Sequence, residues 1–346
     1  MPQIHTYPGH RKFVWFTPQR RNPTEYELYT VGQQSSPKQW LHVDWPIRFD
    51  DGREPYTEDS TALRATDWEG YRDPTRTWYR PYVVSQCQVE RTLDRLVPAQ
   101  LEDAGTTEMN PAWARQALGT YYMAWPFVEY GLFLGLCYAV GEALSDTVEF
   151  MLAFQAADRM RHVQDIVHLS FDLEDSVEGF ADTQARQAWM EDPVLVPTRE
   201  NVERIIAAHD WGEIVVAINL VFEPLVGELV KDRFFARNAV YNGDPATPTI
   251  LGTVRDDRRR HREATSELMR FLFDDEKHGA ANREIVQQWI DHWTPFSERA
   301  ARSLRGLFEI EGITAQPFDS AWESVTKNHA DLLAELGLRQ PVLAGK

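Results

Sequence analysis

The sequence predicts an all-α fold, a bundle of long helices behind a largely non-helical amino-terminal arm. From residue 83 almost to the end, apolar residues recur with a helical period, and no strand-like alternation competes with them. Start and stop signals bound segments approaching thirty residues. Residues 1–82 show neither pattern: they hold 9 of the 20 prolines, 5 of the 12 tryptophans and 7 of the 12 tyrosines. The expected organisation is therefore an extended aromatic-rich arm over 1–82 and a helical domain over 83–346.

Pro111, a favoured first helical residue, opens a helix expected to run to about Ala143. Asp146 and Glu149 have the spacing of a capping box and open a second helix that continues past His168. A short helix follows Thr198. Asp210 and Glu213 repeat the capping spacing ahead of a run to about Tyr241, where Asn242-Gly243 supplies a stop. One helix is expected from Thr249 to Trp293, ended by Thr294-Pro295, with shorter ones over 296–308 and 319–336. The four long segments fall in two pairs, joined by a connection long enough to carry a short helix. That arrangement is a ferritin-like bundle.

Composition narrows the function classes. A formal net charge of -17 disfavours a nucleic-acid partner. The arm balances 11 Lys+Arg against 11 Asp+Glu, so the negative charge belongs to the helical body. The longest charge-free run in the apolar stretch 123–144 is 130–141, shorter than the roughly 20 residues of a membrane span, so no membrane is expected. Two cysteines, Cys87 and Cys137, and a polar start fit a reducing, cytoplasmic setting. The arm's Trp15, Trp40, Trp45, Trp68 and Trp78 need cover, either from this chain's own bundle or from a partner subunit.

A diiron site in such a bundle needs Glu-x-x-His on two helices and a lone Glu on each of two others. Asp158-Arg159-Met160-Arg161-His162 has the histidine, but an arginine stands in the carboxylate slot. A guanidinium stays charged and offers no lone pair to a metal. Spacing alone carries little in a chain with 53 acidic residues and ten histidines. Two histidines have an acid three places earlier: His168 after Asp165 and His278 after Asp275. The run Asp274 to His278 reads either as a second ligand pair or as a solvated helix face.

The end of the arm, Asp73-Pro74-Thr75-Arg76-Thr77-Trp78-Tyr79-Arg80-Pro81-Tyr82, resembles the small (beta) hydroxylase subunit of the soluble diiron monooxygenases, and especially the propane and short-chain-alkane type. Phe13-Val14-Trp15-Phe16-Thr17-Pro18 and the stretch 40–46 support the resemblance, which covers nearly the whole chain. It implies a subunit of an NADH-dependent monooxygenase that oxidises a small hydrocarbon, propane-like or phenol/aromatic, with dioxygen. The implied partner is a large (alpha) subunit carrying the diiron centre, in an (alpha-beta)2-type assembly. A gamma subunit in some members, a regulatory protein and a reductase complete the implied set. The small subunit shares the fold and carries no metal, no cofactor and no catalytic residue of its own.

Carried onto this sequence, the large subunit's first Glu-x-x-His slot falls on Arg159 and His162 and its second on Asp275 and His278. Glu129 falls on one lone glutamate, and the other falls near Ile218 by an ungapped reading from Pro224. With one carboxylate replaced by a cation and another by an alkyl group, iron is not expected to bind. Arg159 is expected either to fill the vacated space and pair with Glu129 or Asp275, or to point to solvent. Two rival readings remain: a catalytic diiron oxygenase with ligands drawn from Glu129, Asp158, His162, Asp165, Asp275 and His278, and an unrelated helical scaffold.

Overall fold

The computed structural model of this 346-residue chain describes residues 5–6, 13–14, 16–32, 52, 57–103 and 109–342. The described part is helical apart from a two-residue antiparallel ladder pairing His5–Thr6 with Phe13–Val14. The helices are α1 (Tyr79–Asp103), α2 (Trp113–Tyr122), α3 (Trp125–Glu142), α4 (Asp146–Ser176), α5 (Ala185–Glu191), α6 (Val196–Ile206), α7 (Trp211–Val216), α8 (Ala217–Ala236), α9 (Ala246–Phe273), α10 (Gly279–Ser303) and α11 (Phe318–Glu335). Glu25–Leu28 and Arg305–Phe308 add single turns. Four helices, α3, α4, α8 and α9, form the centre: α3 lies along α4, α8 packs on α9, and α4 meets α9.

Local chemistry explains the boundaries. Ser145, one residue before the expected cap, accepts from Val148 N at the start of α4, with Asp146 and Glu149 in its first turn. Asp210 caps α7 by accepting from Gly212 N at 2.8 Å and Glu213 N at 3.1 Å. Gly243 takes the left-handed conformation (φ 74°) that stops the chain after Asn242, as expected. α2 and α8 are of the wide type closed by i→i+5 bonds, and α8 carries Pro224 inside it. Trp113–Glu142 is long and apolar enough by composition to cross a membrane, but 56% of its apolar window is buried within the bundle.

Several helix boundaries differ from expectation: the helix over 111–143 is two, α2 and α3, and the one over 296–308 is the end of α10 followed by the turn Arg305–Phe308. The predicted helix over 249–293 is two helices, broken at 274–278, and α10 then runs straight through Pro295. Asp275 makes the break: its Oδ1 accepts from Lys277 N and His278 N, each at 2.9 Å, at the mouth of α10. Proline at 295 costs one backbone bond, and the helix absorbs it within a buried face that includes Ile290, Trp293, Thr294 and Ser297.

The last part of the arm is a strap on this chain's own bundle. Ser60 Oγ donates to Glu142 O, Ala62 N to Asp210 Oδ2, and Arg64 N to Asn282 Oδ1, which in turn donates back from Nδ2 to Arg64 O. Leu63 and Tyr71 are fully buried, and Trp68 meets Trp211 edge-on at 5.5 Å. Trp78 stacks on Tyr29 at 4.5 Å. Trp15, Trp40 and Trp45 lie outside the described residues.

Candidate functional site: a charged centre in the bundle

The apolar core surrounds an ionic cluster built by the four central helices. Glu129 comes from α3, Arg159 and His162 from α4, Glu223 and Lys231 from α8, and Arg258 and His261 from α9. Arg159 is fully buried and does not point to solvent. Its Nη1 donates to Glu129 Oε2 at 2.9 Å and also to Glu223 Oε1. Lys231 Nζ bridges the same two carboxylates, 2.8 Å from Glu129 Oε1 and 2.9 Å from Glu223 Oε1. Arg258 closes the ring from the far side, with Nε 2.7 Å from Glu223 Oε2. Gly227 makes this geometry possible, because a Cβ there would collide with the Glu223 carboxylate one turn away.

A second layer braces the two histidines. His162 Nε2 lies 3.2 Å from Asp257 Oδ2 on α9, and His261 Nε2 lies 2.7 Å from Asp158 Oδ2 on α4, so each helix supplies the aspartate for the other's histidine. The arginines are exchanged too: Arg161 pairs with Asp257, and Arg260 with Asp158. Tyr82 Oη donates to Asp158 Oδ1 at 2.7 Å, tying α1 to the brace. This is the carboxylate–histidine arrangement that orients metal-binding imidazoles. Here both Nδ1 atoms lack a hydrogen-bond partner among the described residues, with His162 Nδ1 3.5 Å from Glu129 Oε2.

The protonation states follow from burial set against these charges. Burial alone would raise the Glu129 carboxyl, but Lys231 and Arg159 outweigh it and hold the group well below the usual range. Glu223 is likewise depressed against burial by Arg159, Lys231 and Arg258. Burial lowers His261 despite Asp158, whereas Asp257 and Glu129 raise His162 against burial. The centre therefore holds two ionised glutamates clasped by three cations.

Set against the pattern of a ferritin-like diiron site, these residues fall into place. Lone glutamates come from α3 and α8, and two x-x-His slots from α4 and α9. In both slots the carboxylate is an arginine, Arg159 before His162 and Arg258 before His261. The set does not fit two irons: half of the carboxylates are missing, and three cations stand where the ions would need negative ligands. Among the described residues no group of three or more His, Cys, Asp or Glu side chains is arranged to hold a metal.

Residues 45–276 match the methane/phenol/alkene hydroxylase family. The chain belongs to that family. It is 33% identical over 336 residues to the propane 2-monooxygenase hydroxylase component small subunit of Rhodococcus jostii (strain RHA1), covering 96% of this chain and 90% of the relative. It is 31% identical to the methane monooxygenase component A beta chain of Methylococcus capsulatus (strain ATCC 33009 / NCIMB 11132 / Bath), covering 87% of this chain and 79% of that one. A crystal structure of xenon-pressurized phenol hydroxylase from Pseudomonas sp. OX1 shares the fold, with a TM-score of 0.79 over 93% of each chain at 20% identity.

Within this hydroxylase-family chain, three of the expected positions, Ile218, Asp275 and His278, lie away from the charged centre, and Glu223, Arg258 and His261 stand in it instead. Ile218 is not a site residue: it packs in the apolar core beside Gly135, and Glu223 is the glutamate that α8 brings to the centre. Asp275 and His278 are not the second slot: Asp275 accepts from Thr66 N and Oγ1 at 2.6 and 3.1 Å in the turn between α9 and α10. Arg159 accordingly pairs with Glu129, as one expectation had it, and with Glu223 rather than Asp275. Arg258 and His261 escaped a search for carboxylates, yet Asp257-Arg258-Arg259-Arg260-His261 repeats Asp158-Arg159-Met160-Arg161-His162 at four of five positions.

Proposed function

We propose that this chain is the non-catalytic small (beta) subunit of a diiron monooxygenase hydroxylase, and that the dioxygen chemistry belongs to a large (alpha) partner subunit. The observation that carries this is the clasp of Glu129 and Glu223 by Arg159, Lys231 and Arg258. It keeps a bundle shaped like that of a diiron protein and fills its centre with fixed cations, so the same helices serve as a rigid brace. The rival set of ligands fails on geometry: Asp158 and Asp165 are committed to Arg260, His261 and Arg161, and Asp275 lies in a remote turn.

The relatives are named as hydroxylase subunits of propane and methane monooxygenases, which supports hydrocarbon oxidation as the work of the complex. We extend this to an NADH-dependent oxidation of a propane-like or phenol/aromatic substrate in an (alpha-beta)2-type assembly with a regulatory protein and a reductase. A gamma subunit belongs to this reading where a family member has one. The arm is read as a clamp, and its residues 60–72 fasten to this chain's own bundle. Cys87 and Cys137, both free, fit a cytoplasmic setting.

The test is iron content. The purified chain should hold only traces of iron, and the co-expressed complex with its large subunit should hold iron in proportion to that subunit. Arg159→Glu alone should not change this. Stoichiometric iron in the wild-type chain, or in that single variant, would defeat the reading of a filled centre.

A further inference from the structure

A cavity of about 760 Å³ lies between the charged centre and the surface. Buried Arg159 and Glu223 line its inner end, and exposed Arg237, Tyr241 and Arg262 its mouth. Seven arginines line this cavity against four carboxylates, in a chain whose formal net charge is -17. The carboxylates are already engaged. Glu223 serves the clasp, Asp232 pairs with Arg255 and Arg258, Glu228 with Arg233, and Asp256 with Arg259.

The remaining donors point to a ligand. Arg237 and Arg262 have no carboxylate partner among the described residues. Behind the floor, Arg159 has no exposed surface, so it adds charge to the cavity without touching what enters it. The edge of a guanidinium presents parallel N–H groups spaced for an oxyanion. The cavity walls focus the field of the unpaired cations inward against the negative charge of the rest of the chain.

We propose that this cavity binds a small multivalent oxyanion, of which inorganic phosphate is the simplest, held by Arg237 and Arg262 at the mouth, with the buried Arg159 contributing its charge from behind the floor. The inference does not depend on the subunit reading, since its failure would leave iron content and assembly unchanged.

Calorimetric titration of the full chain with inorganic phosphate, at fixed ionic strength, tests it. Saturable binding is expected, weakened about tenfold or more in Arg237→Ala/Arg262→Ala, where two positive charges are lost from the mouth. Asp256→Asn, which removes a negative charge at the rim, should tighten it. Arg299→Ala, whose partner Glu200 lies off the cavity, should leave it unchanged. Both mouth arginines are exposed and have no carboxylate partner among the described residues, so their loss should not move the melting temperature. Absence of saturable binding, or equal weakening by Arg299→Ala, overturns the proposal. So does a double variant that binds phosphate normally, or one that weakens association with the large subunit while wild type ignores phosphate.

Discussion

The two layers of charge at the bundle centre differ in how they are made. In the outer layer, Asp158 and Asp257 hold His261 and His162 across the α4–α9 contact, each aspartate also taking an arginine. That layer has the chemistry of the shell behind a metal site. In the inner layer, Arg159 and Arg258 stand in the two slots where carboxylates would face the metal, Lys231 joins them, and of the four carboxylates only Glu129 and Glu223 remain. Orienting hydrogen bonds between helices have a value for the bundle whether or not a metal is present, whereas ligands facing an absent ion would leave buried like charges. Counter-cations at those positions remove that cost.

The largest expected effect comes from taking one cation out of the inner layer. Arg159→Met leaves Glu129 and Glu223 sharing Lys231 and Arg258, and should cost roughly 3–5 kcal/mol, the range for breaking a buried ion pair from one side. Urea unfolding at pH 7 measures it. The pH dependence separates charge from packing. Both glutamates are depressed in the folded protein, so the stability they contribute is complete above the unfolded carboxyl value of about 4.3 and is lost as pH falls through their lower folded values. In the variant those folded values rise, and protonated glutamates no longer need the arginine. The gap between variant and wild type should therefore narrow as the pH drops from 7 toward 4. A gap that stays constant would assign the loss to packing.

A smaller effect tests the fit of the inner layer. Gly227→Ala would place a Cβ against the Glu223 carboxylate and force that side chain off Arg159, Lys231 and Arg258. About 1–3 kcal/mol of destabilisation is expected, as for an overpacked core site, again read by urea unfolding. Gly252→Ala is the control, because a Cβ there meets nothing within 4 Å. If both changes cost the same, helix propensity and not the carboxylate's space is being measured.

The sequence made the bundle legible because long amphipathic segments and their caps are local signals. Asp210, the Asn242-Gly243 stop and the first turn of α4 could all be read from neighbouring residues. Arg159 was legible as a departure from a metal ligand, since its chemistry forbids ligation in any fold. Its counterpart Arg258 was hidden by a search for acids, although the repeated Asp-Arg-x-Arg-His string marked it. Glu223 is illegible for a different reason: an ungapped offset from Pro224 lands at Ile218, and nothing local marks which of the acids of α8, Glu223, Glu228 or Asp232, turns into the bundle. The Asp275–His278 spacing arose from a turn that caps a helix, and only the long-range contact with Thr66 reveals that.

That turn gives the smallest effect and the sharpest contrast with the centre. Asp275 carries the same acid-x-x-His spacing that a ligand pair would show, but it is solvent-facing and held by backbone N–H groups of Thr66, His278 and Lys277. The Thr66 bond leads, and the carboxyl is drawn down to about 2. Asp275→Ala should cost about 1 kcal/mol, the net scale of a side-chain-to-backbone hydrogen bond, and should loosen the strap at 64–66, detectable as faster amide exchange at Thr66. The iron content of the assembled complex should not change. Because its folded value lies below the unfolded Asp value of about 3.9, the contribution of Asp275 is complete above that pH and fades as acid carries the group through about 2. The variant and wild type should thus converge only at strongly acid pH, in contrast to the gap at Arg159, which already narrows between pH 7 and 4. A drop in iron on replacing Asp275 would mean that the turn, and not Arg258 and His261, marks the second half of the site.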